Sequence, residues 1–380
     1  MCPFPASTRD RSVTSDSIAP SQTNPDATDP AHTALESIGW STFFQSQLTP
    51  ANGLPGRVAS ANHGRFLIWT ATGELEAGVT GQLRKSGALW PAVGDWVLLR
   101  SGDPVIHRVL ARKSKLARKQ PEREIREQVL AANIDVLFIV SGLDRDYNPR
   151  RIERYLVMAA ESGARPVVLL NKSDLAAELS LNLDAIVAST QLLSPAVTII
   201  PISALSDHGL DALPAQLAPG QTAALIGSSG VGKSTILNRL LGDNRQATTA
   251  VRPSDSRGRH TTTTRQLFVM PGGWLLMDLP GLREIQLWAE ANQPSGALQD
   301  TFDDIRQLAQ LCRFRDCTHR AEPGCAVTAA AIEPARLVNY LKMQRELTQL
   351  DRKTDSRPTR ETKSKASTAR KSPRPHPDDD

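Results

Sequence analysis

Cysteine is scarce in this chain: only 4 of its 380 residues, and three of those crowd between positions 312 and 325. So few thiols exclude a disulfide-built secreted scaffold and fit a reducing, cytoplasmic setting. Long apolar runs are missing as well. Nothing approaches the roughly 18–20 residues of a membrane span, which excludes an integral membrane protein. The first residues, MCPFPASTRDRS, lack the basic-then-apolar order of a secretory leader. Hydrophobic residues at 40% and charged residues at 22% both fall slightly short of ordinary globular usage, which implies that part of the chain is unfolded. What remains is still too long for one small core and predicts two or three domains.

The net charge of +5 is unevenly placed. Residues 352–376 hold nine Lys or Arg against Asp355 and Glu361, a net +7, so everything else sums to −2. A near-neutral body with a basic tail over 351–380 follows; such tails are solvated and disordered or bind nucleic acid. At the other end, Pro, Ser, Thr and Ala supply twenty of residues 1–34. That composition cannot offset the ordering entropy, and residues 1–36 are expected to be a disordered extension.

Between residues 50 and 114 the pattern changes to short β-like runs: GRVAS, RFLIWT, LEAGVTG, DWVLL and VIHRVL. Five short strands punctuated by glycine predict a small OB-like barrel, and an SH3-like barrel fits the count nearly as well. Trp69, Trp90 and Trp96 are either stacking platforms for bases or core residues. Residues 112–126 carry seven bases and two acids, the composition of a solvated linker or of a strip that tracks phosphates.

Residues 115–288 contain strand-like runs IDVLFIV, PVVLL, VTIIPIS, AALIG and WLLMD with helical stretches between several of them. Continuous Val, Ile and Leu imply strands buried on both faces, hence a mostly parallel α/β sheet. Beyond residue 296 the chain is helical again to 350. Asp300 or Thr301 would cap one helix running to Leu311, and Pro334 suits the first turn of another that buries Leu337, Tyr340 and Leu341.

The strongest motif is Gly227-Ser228-Ser229-Gly230-Val231-Gly232-Lys233-Ser234, followed by Thr235. It satisfies G-x-x-x-x-G-K-[ST] after an apolar strand and at the start of a helix, as a phosphate-binding loop requires. Its N–H groups would surround the phosphates, Lys233 would meet the β- and γ-phosphates, and Ser234 would ligate Mg²⁺. Asn171-Lys172-Ser173-Asp174 matches N-K-x-D. A carboxylate at Asp174 can accept from guanine N1–H and the 2-amino group, a donor pair that adenine lacks, so the nucleotide is GTP or GDP. Asn171 would help read the purine edge and the stem of Lys172 would cover the base. Ser203-Ala204 is similar to the segment in which a backbone N–H meets guanine O6. Asp278-Leu-Pro-Gly281 fits D-x-x-G, with Asp278 on Mg²⁺ through water and Gly281 sensing the γ-phosphate. In Gly258-Arg-His-Thr-Thr-Thr-Thr264, Thr262 or Thr263 would be the switch ligand to Mg²⁺.

Cys312, Cys317, His319 and Cys325 form a Cys₃His set within fourteen residues. Four protein ligands leave no open position, so one structural Zn²⁺ per chain is expected to fold this small helical module. Arg313, Arg315 and Arg320 flank it and could face phosphate.

Motif order carries the next step. An ordinary small GTPase reads phosphate loop, switch threonine, D-x-x-G, N-K-x-D, then S-A. Here N-K-x-D and S-A come first, so the GTPase domain is circularly permuted. With the OB-like barrel in front, GRHTTT in the switch and the Cys/His cluster behind, the chain resembles the bacterial ribosome small-subunit-dependent GTPase A family over roughly residues 50–350. The resemblance implies GTP hydrolysis stimulated by the small ribosomal subunit, contact with that subunit and its rRNA, and a role in its late maturation. A monomer with no membrane partner is expected. Leu282 stands where many GTPases carry a water-orienting glutamine, so intrinsic turnover should be slow. His260 is the candidate to position the water, since imidazole can hydrogen-bond it near neutral pH. Leu282 also keeps an alternative open: an RNA-binding assembly scaffold whose GTP site is regulatory and weakly hydrolytic.

Overall fold

A computed structural model of the chain describes residues 30–49, 53–62, 64–85, 89–100, 102–119, 127–144, 146–242, 265–279 and 296–355. Strands β1 (Leu54–Asn62), β2 (Arg65–Thr70), β3 (Gly73–Val79), β4 (Trp96–Leu99) and β5 (Val105–Val109) form the N-terminal barrel. Their order is β1-β2-β3-β5-β4, and β4 closes the barrel by pairing back on β1. Only β3 and β5 run parallel within it. This is the OB-type closure, which settles the choice of barrel that strand counting leaves open. Alternation along β2 turns Phe66 and Ile68 inward against Val58, Val97, Leu99 and Ile106.

The N-terminal arm departs from the disorder expected up to residue 36. Helices α1 (Pro30–Ser37) and α2 (Thr42–Gln45) pack on the outside of the barrel. Leu35, Trp40 and Phe44 join Trp96, Leu98 and Leu110 in a separate cluster, with the Trp40 and Trp96 rings edge-to-face at 4.6 Å. Each large apolar side chain buried there contributes roughly 1.5–3 kcal/mol against the entropy of ordering the segment. Trp96 is thus a core residue. Trp69 is partly buried and donates to Glu74, while Trp90 is exposed.

After helix α3 (Gly81–Lys85) and the barrel comes a two-stranded ribbon, β6 (Lys115–Lys119) and β7 (Glu127–Ala132). The α/β sheet follows: β8 (Val136–Gly142), β9 (Arg165–Asn171), β10 (Thr198–Pro201), β11 (Thr222–Ile226), β12 (Arg265–Val269) and β13 (Leu275–Asp278). Its order is β10-β9-β8-β11-β13-β12, parallel except for β12. Side chains alternate between two cores. Val136, Phe138 and Val140 face α6 (Lys233–Leu241), whereas Leu137 and Ile139 face α4 (Pro149–Ser162). Helix α5 (Leu183–Gln191) precedes β10. Strand β12 also pairs with β1, Ser60 opposite Gln266, so barrel and α/β sheet are continuous.

The C-terminal module comprises α7 (Gly296–Thr301), α8 (Asp303–Ala309), α9 (Ala326–Ala329) and α10 (Pro334–Asp355). The single helix expected to reach Leu311 is two, broken at Phe302 with φ −116° and ψ 45°. The break turns Phe302 inward beneath Tyr340 and the Arg336 guanidinium. Pro334 starts α10 as expected. Tyr340 is buried, and Leu337 and Leu341 are partly so; Met343 and Leu347 continue the apolar stripe. Helix α10 extends into the stretch read as tail; residues 356–380 lie outside the described residues.

Truncating Phe44, 1% exposed between Trp40 and Trp96, tests whether the arm belongs to the barrel. Phe44→Ala is expected to cost about 3–5 kcal/mol, read as a lowered urea midpoint by tryptophan fluorescence. An unchanged midpoint would show that α1 and α2 add nothing to the barrel.

Candidate nucleotide and metal sites

Strand β11 is buried throughout and delivers the 227–234 loop to the C-terminal edge of the sheet, where open α/β sheets bind ligands. Glycine is required at two points. Gly227 has φ +149°, and a Cβ there would stand 2.3 Å from the Val140 carbonyl oxygen of β8. Gly232 has φ +99°, and its Cβ would stand 2.3 Å from Asn171 Nδ2. Lys233 opens α6 and arches back over the loop, its Nζ donating to the Gly227 carbonyl at 2.7 Å and the Ser228 carbonyl at 2.6 Å. Burial pulls its pKa below the ordinary lysine value, against the opposing pull of Asp278 and Asp146. Asp278 ends β13 beside β11. Burial pushes its carboxyl pKa up, and Lys233 opposes the rise. Ser229, Gly230, Ser234 and Thr235 are exposed along the loop and the first turn of α6.

Asn171, 2% exposed at the end of β9, joins three loops. Its Nδ2 donates to the Val231 carbonyl at 2.7 Å, and its Oδ1 accepts from the Ala204 N–H at 3.0 Å. Both ends of the amide are therefore spent on holding the 171–174 and 203–204 segments against the phosphate loop. Reading the sequence assigned Asn171 to the base edge and missed this role. Ser173 N–H donates to the Ile202 carbonyl at 3.0 Å, and Ser203 N–H to the His208 carbonyl at 2.9 Å. Lys172 takes a left-handed φ of 66° and pairs its ammonium with Asp144. Asp174 is exposed, its carboxylate uncommitted among the described residues. His260, Thr262, Thr263, Gly281 and Leu282 lie outside the described residues.

Three further side chains border the loop. Asp144 closes on Lys172, while Asp146 and Arg151 hold Ser228. Their sequence signal is carboxylates just past a parallel strand, followed by Asn148-Pro149 at a helix start. Of the 112–126 strip, residues 112–119 are described, and three of their basic side chains have partners. Arg112 forms a buried pair with Asp95, Lys115 pairs with Glu127, and Arg118 donates to Gln128.

Cys312, Cys317, His319 and Cys325 bring their ligand atoms within 4.8 Å of one another. Cys312 and Cys325 sulfurs are 3.9 Å apart, and each lies 3.6 or 3.5 Å from His319 Nδ1. A tetrahedral zinc with bonds of about 2.3 Å to sulfur and about 2.0 Å to nitrogen needs edges of roughly 3.8 and 3.5 Å. The donor set fits that ion. His319 reaches it from a left-handed φ of 58°. Outside the cluster, the Arg313 guanidinium lies over the half-exposed Phe314 ring at 5.4 Å.

The sequence profile of the RsgA GTPase family matches residues 109–288. A small ribosomal subunit biogenesis GTPase RsgA from Opitutus terrae is 45% identical over 343 residues, spanning 84% of this chain and 92% of that protein. The protein of the same name from Streptomyces coelicolor is 39% identical, over 86% of this chain and 90% of its own. The crystal structure of YjeQ from Thermotoga maritima is similar with a TM-score of 0.55 at 27% identity, covering 78% of this chain and 98% of that one. YloQ, described as a circularly permuted GTPase, shares the fold with a TM-score of 0.54 at 20% identity, covering 80% and 98%. Among the described residues, no helix is long and apolar enough to cross a membrane.

Metal analysis tests the Cys₃His cluster. Protein purified without added zinc is expected to carry close to one zinc per chain, and Cys317→Ala to release it and loosen the C-terminal helices more than the α/β sheet. A metal-free chain with those helices ordered would remove the metal assignment.

Proposed function

The chain belongs to the RsgA GTPase family, a GTP hydrolase of small ribosomal subunit biogenesis, and from that premise we propose how its residues bind GTP and act on the subunit. One observation carries the reading: Asn171 joins Val231 of the phosphate loop to Ala204 of the S-A segment. A residue that reaches both halves supports one guanine-nucleotide site despite the permuted motif order.

Asp174 accepts from guanine N1–H and the 2-amino group, and its exposed, uncommitted carboxylate suits that task. Lys172, anchored at its head by Asp144, lays its aliphatic stem along the base. Ser173, Ser203 and Ala204 shape the base pocket. Gly227 through Gly232 present backbone N–H groups to the phosphates, and Lys233 exchanges the Gly227 and Ser228 carbonyls for phosphate oxygens when nucleotide arrives. Ser234 would hold Mg²⁺ directly and Asp278 would hold it through water, with Thr262 or Thr263 completing the set and Gly281 sensing the γ-phosphate. Thr235 adds to the phosphate contacts. The ion would neutralise charge on the transferring phosphoryl group. His260 positions the attacking water in place of the glutamine that Leu282 replaces. One structural zinc holds the C-terminal module together.

We assign the action to the small subunit and its rRNA, late in maturation, with the subunit raising a slow intrinsic turnover. GTP hydrolysis with and without purified small subunits tests this. Stimulation is expected; equal, negligible rates would favour the scaffold with a regulatory site. Asp174→Asn should weaken GTP about 10- to 100-fold, the loss of hydrogen bonds to a charged acceptor. It should also gain xanthine nucleotides, whose 2-oxygen can accept from the new amide. Wild-type GTP affinity in this variant would refute the base-reading role.

A further inference from the structure

Ser228 is the second residue of the phosphate loop, and its side chain is held from outside the loop. Its hydroxyl donates to Asp146 Oδ2 at 2.7 Å and accepts from Arg151 Nη1 at 2.6 Å, while Arg151 and Asp146 pair with each other. The hydroxyl is thereby committed in both directions, and its rotamer is fixed. The same residue's carbonyl accepts from Lys233 Nζ at 2.6 Å. Holding the Ser228 side chain therefore orients the peptide on which the phosphate-binding lysine rests. Asp146 also acts on Lys233 through space.

The clamp stands on a helix whose start is tightly defined. Asn148 caps α4, its Oδ1 accepting from the Arg150 N–H at 2.9 Å and the Arg151 N–H at 3.3 Å, with Pro149 in the first turn. Another flank of α4 is fastened to the C-terminal module. Glu153, fully buried, accepts from Arg336 at 2.6 Å and Asn339 at 2.6 Å, and also pairs with Arg150. Arg150 reaches Glu333, and Arg154 forks onto Glu346 at 2.7 Å. Buried, hydrogen-bonded pairs of this kind fix relative position, since loss of either partner strands a charge.

We propose that Asp146 and Arg151 are positioning residues for the phosphate loop, and that α4 carries the seating of the C-terminal module to that loop. The clamp acts on phosphate affinity through Ser228 and Lys233. Its link to the base-reading segment is the Asp146 N–H on Asp144 Oδ1, a backbone contact that Arg151 and Ser228 variants leave in place, so base preference is expected to persist. This inference rests on the GTPase reading of the site.

The test uses the full-length, zinc-loaded chain and measures GTP and GDP affinity together with the preference for guanine over xanthine nucleotides. Arg151→Ala is expected to weaken both guanine nucleotides about tenfold, with base preference unchanged. Arg151→Lys, which can keep the pair to Asp146, should recover part of the loss. Ser228→Ala should cost about as much as Arg151→Ala, and the double variant no more than either, because both remove one interaction. Additive losses, or wild-type affinity in Arg151→Ala, would overturn the clamp. Arg151 is partly exposed, 36%, and a thermal melt checks that its variants fold; should Arg151→Ala unfold, the Arg151→Lys and Ser228→Ala arms decide alone. The combined Glu333→Gln and Glu346→Gln variant loosens α10 from α4 at solvent-accessible contacts. It should weaken GTP about two- to threefold, a smaller loss because the effect is indirect; unchanged affinity would overturn the transmission through α4. A wild-type chain that binds neither GTP nor GDP would instead refute the GTPase reading itself.

Discussion

The guanidinium of Arg57, on β1 and 1% exposed, reaches four segments at once. It donates to the Ile38 carbonyl after α1, to Gly94 in the barrel at 3.4 Å, to Asn133 at 3.3 Å, and to Thr222 Oγ1 of β11 at 2.7 Å. Among the described residues no carboxylate touches it. Burial pulls its pKa down to about 10, opposed by Asp135 and Asp95 nearby, so it stays charged at neutral pH. A buried cation satisfied by carbonyls and a hydroxyl is costly to disturb, because every acceptor would be left dry and unpaired. The position of the barrel on the α/β sheet rests on this side chain together with the β1–β12 pairing and the Val93–Ala132 and Gly94–Asn133 hydrogen bonds. Thr222 begins the strand that delivers the phosphate loop, so the same constraint extends to the nucleotide site.

A second fastening works at the other end of the sheet. In this motif order α4 comes early in the chain, whereas α10 comes last. The C-terminal module folds back across the intervening sheet to grip α4 through Glu153, Arg150 and Arg154. The nucleotide site is assembled by equally distant contacts: Asn171 to Val231 spans 60 residues, and Arg151 to Ser228 spans 77. Such non-local pairings form only after the sheet is in place. The permuted order keeps the sheet intact because strand adjacency does not depend on where the chain is opened.

What could be read in advance follows this distinction between local and distant. The phosphate loop, N-K-x-D and the Cys₃His set each lie within a short stretch whose spacing states the chemistry, and β8, β9 and β11 announce themselves by short continuous apolar runs. The Asp146–Arg151–Ser228 clamp is only half legible that way: its carboxylate and helix start stand just past β8, but Ser228 meets them only in three dimensions. Barrel strands were countable, but closure by β4 on β1 is a pairing that no single run reveals. The helix over Pro30–Ser37 is hidden because the Pro-, Ser-, Thr- and Ala-rich stretch 1–34 stops just short of Leu35, Trp40 and Phe44, whose value lies in the barrel surface they meet. Charge misled in the opposite direction. Arg112 and Lys115, two of the seven bases in 112–126, pair with Asp95 and Glu127, partners that lie outside that stretch.

The two ends of the nucleotide domain therefore differ in kind. The barrel is joined to it by β-pairing and a buried arginine with no carboxylate partner in contact, contacts that change only if backbone moves. The C-terminal module is joined by an apolar seam with α4 and by ion pairs, several of them partly exposed, alongside a buried Glu153 shared by Arg150, Arg336 and Asn339. Half-exposed pairs contribute little to stability, about 0–1 kcal/mol each, and are screened by salt. They can exchange partners at small cost, while Glu153 restricts how far the module can shift before a charge is stranded. The barrel junction is thus fixed by backbone pairing, and the α10 junction by side chains that meet across an apolar seam.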